Sequence, residues 1–256
     1  MIAGFMARRS IVRQKVAGVF VSILVMGPMG ALEAEAATTE AVFAQAKGAI
    51  VQVRVLDNNS DAQQSIGSGF HVGNGFFISN YHVIAELLDT RQHLHAVART
   101  FDEQELPLEL ITTDIVHDVA LFRAKNVNMP VIALTDQVPA RGARLYSVGN
   151  PLDIGFTIVE GNYNGLVKGD PRPHIHFTGA LNPGVSGGPT INDEGIAVGI
   201  NVASSGEQVS YLVPGTYAQA LLKSMPADLS TLTAPTQGEL NQRVREQLLA
   251  EQSRLT

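Results

Sequence analysis

Short runs of apolar or alternating residues recur between about residues 50 and 213, each bounded by glycine, proline, asparagine or aspartate. A period of two over a few residues predicts β-strands, because successive side chains of a strand point to opposite faces. Strands this short and evenly spaced are typical of barrels and sandwiches, so the sequence predicts an all-β fold. The clearest predicted strands are Ile50–Val55, Phe76–Ser79, Leu94–Ala98, Val119–Arg123, Arg144–Val148, Ile175–Thr178, Ile196–Ile200 and Val209–Val213.

A polar, turn-rich segment, residues 135–142, divides the predicted strands into two sets. We therefore expect one domain over residues 37–225, with a first barrel at about 47–134 and a second at about 142–213.

The chain after the second predicted barrel, residues 226–256, has a helical rather than a strand pattern. Gly215–Ser224 predicts a short helix, residues 226–237 form a Ser/Thr/Pro-rich linker, and Gly238–Thr256 predicts a second helix. A thin apolar stripe marks one face of the second helix, at Leu240, Val244 and Leu248. We expect this helix to dock on its own barrel or to fray; the alternative is a contact in a homo-oligomer.

The N-terminal residues 1–36 have the pattern of a signal peptide. Arg8, Arg9, Arg13 and Lys15 precede an uncharged, mainly apolar run, and Ala34-Glu35-Ala36 offers a cleavage site. This pattern predicts a periplasmic or secreted protein. An uncleaved membrane anchor is the alternative, although the run Val16–Leu32 is shorter than the ~20 residues that span a bilayer.

Composition narrows the range of functions. The net charge is −6 and no basic cluster remains after the signal peptide, so nucleic acid is not an expected partner. The chain has no cysteine, which excludes disulfides and thiolate metal sites. The pairs His93/His95 and His174/His176 lack a third ligand at suitable spacing. We therefore predict no metal and no other cofactor.

Three segments together indicate nucleophilic catalysis. Ser186 is flanked by glycines in Asn182–Pro189, while His82 and Asp118 lie upstream, each beside an apolar run. A serine hydroxyl needs a base; His82 suits that role, and Asp118 would orient the imidazole. Asp114 is the alternative acid, but the apolar run starts directly after Asp118. The amides of residues 184 and 186 would form an oxyanion hole.

The order His82, Asp118, Ser186 is that of chymotrypsin-type double barrels. Five segments resemble the HtrA/Deg branch of the trypsin-like serine proteases: Ile66–Phe70, Ile78–Val83, Asp118–Leu121, Ser147–Pro151 and Asn182–Pro189. The resemblance implies a chymotrypsin-like double β-barrel with short C-terminal helices, whose catalytic cleft lies between the barrels. It also implies hydrolysis of peptide bonds through an acyl-enzyme, with the oxyanion hole formed by Gly184 and Ser186.

The same resemblance places the specificity pocket at Ala180, Leu181, Asn201, Val202 and Ala203. No acidic residue is present among them, so a small or medium aliphatic side chain is expected rather than Lys or Arg. Extended or unfolded polypeptides are the expected substrates, because the pocket strand can pair with a peptide backbone.

Two departures from the family pattern bear on function. Position 185 is valine where HtrA relatives usually have asparagine, so we expect a loop that substrate or oligomer contacts must order. The C-terminal segment is also too short for the PDZ domain that usually follows in this family. An active endopeptidase and a catalytically silent scaffold that binds extended peptides both remain open, and the complete triad favours the enzyme.

Overall fold

The computed structural model describes residues 38–91, 93–150, 155–169, 171–202 and 210–255. The predicted signal peptide, residue 151 of the fourth family segment and Ala203 of the predicted pocket lie outside these described residues. Over the described ranges, no helix combines the length and the apolar composition that crossing a bilayer requires.

The strands form two closed barrels, and all their pairings are antiparallel. The first barrel consists of β1 (Ile50–Asp57), β2 (Gln63–Gly73), β3 (Phe76–Ser79), β4 (Leu94–Arg99), β5 (Glu105–Asp114) and β6 (Val119–Arg123), in the order β1-β2-β3-β6-β5-β4. The second consists of β7 (Arg144–Gly149), β8 (Thr157–Leu166), β9 (Ile175–Phe177), β10 (Pro189–Ile191), β11 (Ala197–Val202) and β12 (Ser210–Pro214), in the order β10-β11-β12-β9-β8-β7. The predicted all-β double barrel is confirmed.

Helices lie outside the barrels. They are α1 (Thr39–Ala46), α2 (Tyr81–Ile84), α3 (Gly215–Lys223) and α4 (Gln237–Leu255), with short 3-10 turns at Lys47–Ala49, Ala85–Leu88 and Leu229–Thr231. The two C-terminal helices agree with the sequence prediction to within a residue at each end. Helix α1 was not predicted; the Thr38 side chain caps it by accepting the N–H of Ala41 at 3.2 Å.

Neighbouring side chains of β1 belong to two different apolar cores, because successive residues of a strand point to opposite faces. Val51, Val53 and Val55 of β1 point into the first barrel, whereas Ile50 packs with second-barrel residues such as Tyr146. Each of these side chains is fully buried, which contributes about 1.5–3 kcal/mol apiece. An apolar core shared by the two barrels therefore fixes their relative position.

Candidate active site

His82 and Asp118 lie side by side because of the pairing of β3 with β6. His82 is in α2, just after the end of β3, and Asp118 directly precedes β6; Ser79 is opposite Ala120 in the antiparallel register. The Nδ1 atom of His82 is 2.7 Å from Oδ2 of Asp118, and the His82 N–H donates to Oδ1 at 2.8 Å. The carboxylate therefore fixes the ring, and Nε2, on the opposite side of the imidazole, points away from it.

The backbone of Asp118 is held as firmly as its side chain. Its φ of +57° is in the left-handed region, which aspartate tolerates better than most residues. The Asp118 carbonyl accepts hydrogen bonds from Asn80 Nδ2 at 2.8 Å and from the Tyr81 N–H at 3.3 Å. Both ends of the aspartate are thus bonded to the segment that carries His82.

Tyr81 adds bulk but no charge beside this pair. Burial raises the pKa of the Tyr81 hydroxyl, and the negative charges of Asp118 and Glu86 raise it further. The phenol therefore keeps its proton at neutral pH.

Asp114, the alternative acid, pairs with a different histidine. Its Oδ2 is 2.7 Å from Nδ1 of His117, and its Oδ1 accepts the His117 N–H at 3.1 Å. The His117 ring stacks on Tyr217 of α3, with ring centroids 3.6 Å apart and an interplanar angle of 12°. Of the two aspartates, Asp118 is the one that reaches His82.

Ser186 lies on the second barrel, in the loop between β9 and β10, and its backbone contacts the first barrel directly. The Ser68 N–H on β2 donates to the Ser186 carbonyl at 2.7 Å. The serine is 4% exposed. A hydrogen bond between the barrels therefore fixes the position of the loop that carries Ser186, the predicted nucleophile; this loop is called the nucleophile loop below.

Two glycines permit this close contact. A Cβ atom on Gly187, whose φ is +87°, would lie 2.2 Å from the Ser68 carbonyl oxygen. A Cβ atom on Gly67 would lie 2.6 Å from the Val83 side chain and 3.0 Å from the Ser186 carbonyl oxygen. Because Val83 directly follows His82, Gly67 is close both to the helix that carries His82 and to the loop that carries Ser186.

The carbonyl groups before the serine are bonded into the protein. Ser68 Oγ donates to the Gly184 carbonyl at 2.8 Å and accepts the Asn150 N–H at 2.9 Å. The Val185 carbonyl accepts from Asn201 Nδ2 at 3.2 Å and from a backbone N–H within the loop at 3.0 Å. Because C=O and N–H of one trans peptide point in opposite directions, an inward Val185 carbonyl directs the next amide outward. That amide is the predicted oxyanion donor of Ser186.

Val185 contributes to this loop by packing. Its side chain is 2% exposed and belongs to the apolar core of the second barrel, with Leu145 and Phe177. Side-chain hydrogen bonds to the carbonyls of this loop come from Ser68 and Asn201. Ordering of the loop by substrate or oligomer contacts, expected from the valine, stays a prediction.

A model of the trypsin-like peptidase domain matches residues 67–200, which is more than half of the chain and includes His82, Asp118 and Ser186. The chain belongs to the trypsin-like peptidase domain family. The match begins on β2, just before Ser68, and ends on β11, just before Asn201. Ser68 and Asn201, whose side chains hold the nucleophile loop, are thus near the two ends of the matched region.

Sequence relatives of this trypsin-like domain include proteins named probable periplasmic serine endoprotease DegP-like. The relative from Pseudomonas putida is 33% identical over 144 residues, which cover 54% of this chain and 29% of the relative. The relative from a Marinomonas species is 29% identical over 177 residues, covering 65% of this chain and 36% of the relative. The chain thus spans about a third of the length of the curated relatives it matches.

Solved structures agree with the fold. A serine endoprotease from Yersinia pestis has a TM-score of 0.61 and 25% identity, covering 71% of this chain and 64% of that one. A variant of the HtrA-type protease AlgW, solved with a tripeptide, has a TM-score of 0.62 and 21% identity, covering 73% of this chain and 63% of that one. The resemblance to the HtrA/Deg proteases is confirmed.

The trypsin-like domain places the predicted pocket residues in different environments. Ala180 is exposed and Val202 is partly buried, so both have surface that a substrate can reach. Leu181 is 3% exposed within the second-barrel core, and its N–H donates to Ser210 Oγ at 3.0 Å. Asn201 is fully buried, so its side chain holds the loop from inside the protein rather than lining a pocket surface. The pocket assignment itself stays a prediction.

Sequence reasoning did not find the residues that support the nucleophile loop. Asn201 Nδ2 also donates to the Val148 carbonyl at 3.1 Å, and its Oδ1 accepts from Thr190 Oγ1 at 2.6 Å. A polar residue within an apolar strand is the available signal, because fully buried polar groups are nearly always hydrogen-bonded. Ser68, between two glycines of β2, carries a weaker signal of the same kind.

Metal chemistry has no candidate residues in the part of the chain that the structure describes. Within it, no group of three or more His, Asp or Glu side chains is arranged to hold a metal ion. The His95 ring, one of the four histidines in the two pairs, is hydrogen-bonded to Asn58 Oδ1 at 2.6 Å.

Proposed function

We propose that this chain is a serine endopeptidase that hydrolyses extended or unfolded polypeptides through an acyl-enzyme. The observation that carries the proposal is the His82–Asp118 hydrogen bond at 2.7 Å, beside a glycine-bounded loop that carries Ser186. The family membership and the names of the DegP-like relatives support it.

The mechanism follows from the bonding of the imidazole. Asp118 accepts the Nδ1 proton, so the neutral ring has its lone pair on Nε2 and can take the proton of the Ser186 hydroxyl. The serine oxygen attacks the peptide carbonyl, and the imidazolium then gives its proton to the leaving amine. His82 then takes a proton from a water molecule as the water attacks the resulting ester. The imidazolium gives this proton to the Ser186 oxygen as the acyl group leaves.

Stabilisation of the oxyanion is assigned to the amides of Gly184 and Ser186. Each such donor contributes about 3 kcal/mol to lowering the barrier in comparable enzymes. Gly184 has φ of +93°, and its carbonyl accepts a hydrogen bond from Ser68 Oγ, which supports this assignment. Preorganised donors stabilise charge more than donors that must first rotate.

The substrate proposal rests on the accessible part of the second barrel. The register of β10 on β11 ends at Ile200, so the edge of β11 at Val202 lies beyond that pairing. Val202 and Ala180 have exposed surface, and no predicted pocket residue is acidic. An extended peptide would pair with this edge and place a small or aliphatic side chain beside it. Folded proteins lack the free backbone groups for such pairing, so unfolded chains are the proposed substrates.

Labelling with a fluorophosphonate probe tests the enzyme against the alternative of a silent scaffold. The wild-type protein should react and should degrade an unfolded polypeptide, whereas Ser186→Ala should do neither. Binding of the polypeptide without labelling or cleavage by the wild-type protein would support the scaffold.

Export is proposed from residues 1–36 and from the word periplasmic in the names of the relatives. N-terminal sequencing of the protein recovered from a bacterial periplasm should begin at Ala37. Recovery of a chain that still carries Met1, in the membrane fraction, would favour the uncleaved anchor.

A further inference from the structure

Helix α4 lies against the first barrel along one face. The residues of α4 that are not exposed include Gln237, Leu240, Val244 and Gln247, spaced by three or four, which places them on one side of a helix. Leu240 is 7% exposed and belongs to the apolar core of the first barrel. The docked helix therefore agrees with the first of the arrangements predicted from the sequence.

Two glutamines on this face bond to the main chain on either side of the His82–Asp118 pair. Gln237 Nε2 donates to the Leu87 carbonyl at 2.9 Å, in the 3-10 turn that continues α2 beyond His82. Gln247 Nε2 donates to the Thr113 carbonyl at 2.6 Å, and its Oε1 accepts the Ile115 N–H at 2.9 Å. One amide side chain thus bridges the chain where β5 ends and the turn to Asp118 begins.

The bridge satisfies backbone groups at the end of a strand. β5 ends at Asp114, and backbone N–H and C=O groups at such an end need partners from outside the sheet. Gln247 supplies a donor and an acceptor from one planar group, so rotation of the local peptide planes would break both bonds. Asp118 lies three residues beyond Ile115, whose N–H makes the second of these bonds.

We propose that α4 acts as a brace for the His–Asp half of the site, with Gln237 and Gln247 as positioning residues. The proposal rests on the proposed peptidase function. Gln237 holds the segment after the histidine, and Gln247 holds the segment before the aspartate. The brace lies outside residues 67–200, the region that the family model matches.

The same helix offers a matched control. Arg243 donates from one guanidinium nitrogen to the Ile111 carbonyl at 3.3 Å, on the same strand but farther from the aspartate. Arg243→Met therefore removes a helix-to-strand bond and leaves the turn untouched. A helix that only stabilises the fold would give equal effects for Arg243→Met and Gln247→Met.

The experiment compares Gln237→Met, Gln247→Met, their double variant and Arg243→Met in the full chain, using a fluorogenic peptide well below Tm. For Gln247→Met we expect kcat to fall by about tenfold with KM within about twofold, because sub-ångström displacement of catalytic groups slows chemistry more than binding. The double variant should lose more, and Arg243→Met should keep its kcat within about twofold despite a similar drop in Tm.

Hydrogen exchange at the His82 amide, which donates to Asp118 Oδ1, gives a readout that does not depend on activity. Its protection should fall in Gln247→Met and stay unchanged in Arg243→Met. Equal kcat and equal protection in these two variants would overturn the brace. Absence of activity in the wild-type protein would instead overturn the peptidase, and hydrogen exchange would still decide the brace.

Discussion

The first barrel contains two His–Asp pairs with nearly the same local geometry. In each pair, one carboxylate binds the Nδ1 atom of the histidine at 2.7 Å and the N–H of the same residue through its other oxygen. The partners His117 and Asp114 are three residues apart, whereas His82 and Asp118 are 36 apart. Local bonding alone therefore does not distinguish a catalytic pair from a structural one.

The surroundings of the rings make the difference. The His117 side chain is 22% exposed and stacks on Tyr217, whereas the His82 side chain is 47% exposed, in a helix that has Gly67 as a neighbour in common with the Ser186 loop. The stacked pair closes a turn, whereas His82 and Asp118, the open pair, have the more exposed imidazole ring. We infer that catalytic capacity depends on what the second ring nitrogen faces.

The largest expected effect separates the two aspartates. In Asp118→Asn the amide would donate to Nδ1 and force the wrong tautomer, so kcat should fall by about 10³–10⁴. Asp114→Asn should leave kcat within about threefold, because its histidine takes no part in the reaction. Steady-state kinetics on a peptide substrate measures both; equal losses would show that the two pairs do not differ as described.

Removing support from the loop that carries Ser186 should lower both stability and activity. Asn201→Leu leaves buried partners on Val148, Val185 and Thr190 without their bonds, so the free energy of unfolding should fall by about 2–4 kcal/mol. The kcat should fall by about 10–100-fold, because the Ser186 amide loses its fixed direction. Urea unfolding and kinetics check the two effects.

Asn192→Ala is the control for that loss. Asn192 Oδ1 accepts the N–H groups of Glu194 and Ile196 in a second-barrel turn. Its replacement should lower stability and leave kcat unchanged. If kcat falls equally in both variants, the effect of Asn201 on the reaction is only through stability.

A smaller effect is expected at Ser68. Ser68→Ala removes the bond to the Gly184 carbonyl, and kcat should fall by about tenfold, with KM little changed. Ser147→Ala is a matched control, because its hydroxyl is equally buried and has no partner among the described residues. Kinetics on both variants would contradict the proposed role of Ser68 if the two lost the same activity.

Tyr217→Leu tests the stacked pair. Loss of the ring from His117 should lower the free energy of unfolding by about 0.5–1.5 kcal/mol beyond the lost area. Activity should change by less than about twofold, since the open pair keeps all its bonds. Thermal unfolding with parallel kinetics measures this, and a large loss of kcat would mean that the stacked pair supports the reaction.

The smallest expected effect is the pH dependence of the stability that Glu239 gives to α4, the proposed brace. Hydrogen bonds from the Thr236 backbone and hydroxyl lower the pKa of Glu239, which caps α4, below its ordinary value of 4.5. A lowered pKa means that the stabilisation is present above 4.5 and is lost as the pH falls through the folded-state pKa. The difference in Tm between wild type and Glu239→Gln should therefore vanish in acid; a constant difference would exclude this cap.

The sequence was sufficient for the strands that consist of a clear apolar run. Phe76–Ser79 and Val119–Arg123 were predicted with the bounds that the structure has, because apolar residues fill these central strands. β2 and β8 were not among the predicted strands, since glycines and polar residues interrupt their pattern. Pairing with neighbours decides such strands more than their own composition does.

In the site, the order of the residues and the motifs around them predicted the His82–Asp118 contact. The sequence did not predict the hydrogen bonds that hold the Ser186 loop. Ser68 and Asn201 act across the barrel interface through main-chain carbonyls, and no spacing in the sequence encodes such contacts. The contact of Gln247 could not be predicted either, because the sequence of a polar helix does not indicate which strand a glutamine will bond to.

The rate of fluorophosphonate labelling at Ser186, located by mass spectrometry, tests most directly whether the open pair activates the serine. In His82→Ala the rate should fall by at least about 10³-fold, whereas His117→Ala should label at the wild-type rate. Labelling of His82→Ala at the wild-type rate, or of a residue other than Ser186, would contradict the assignment.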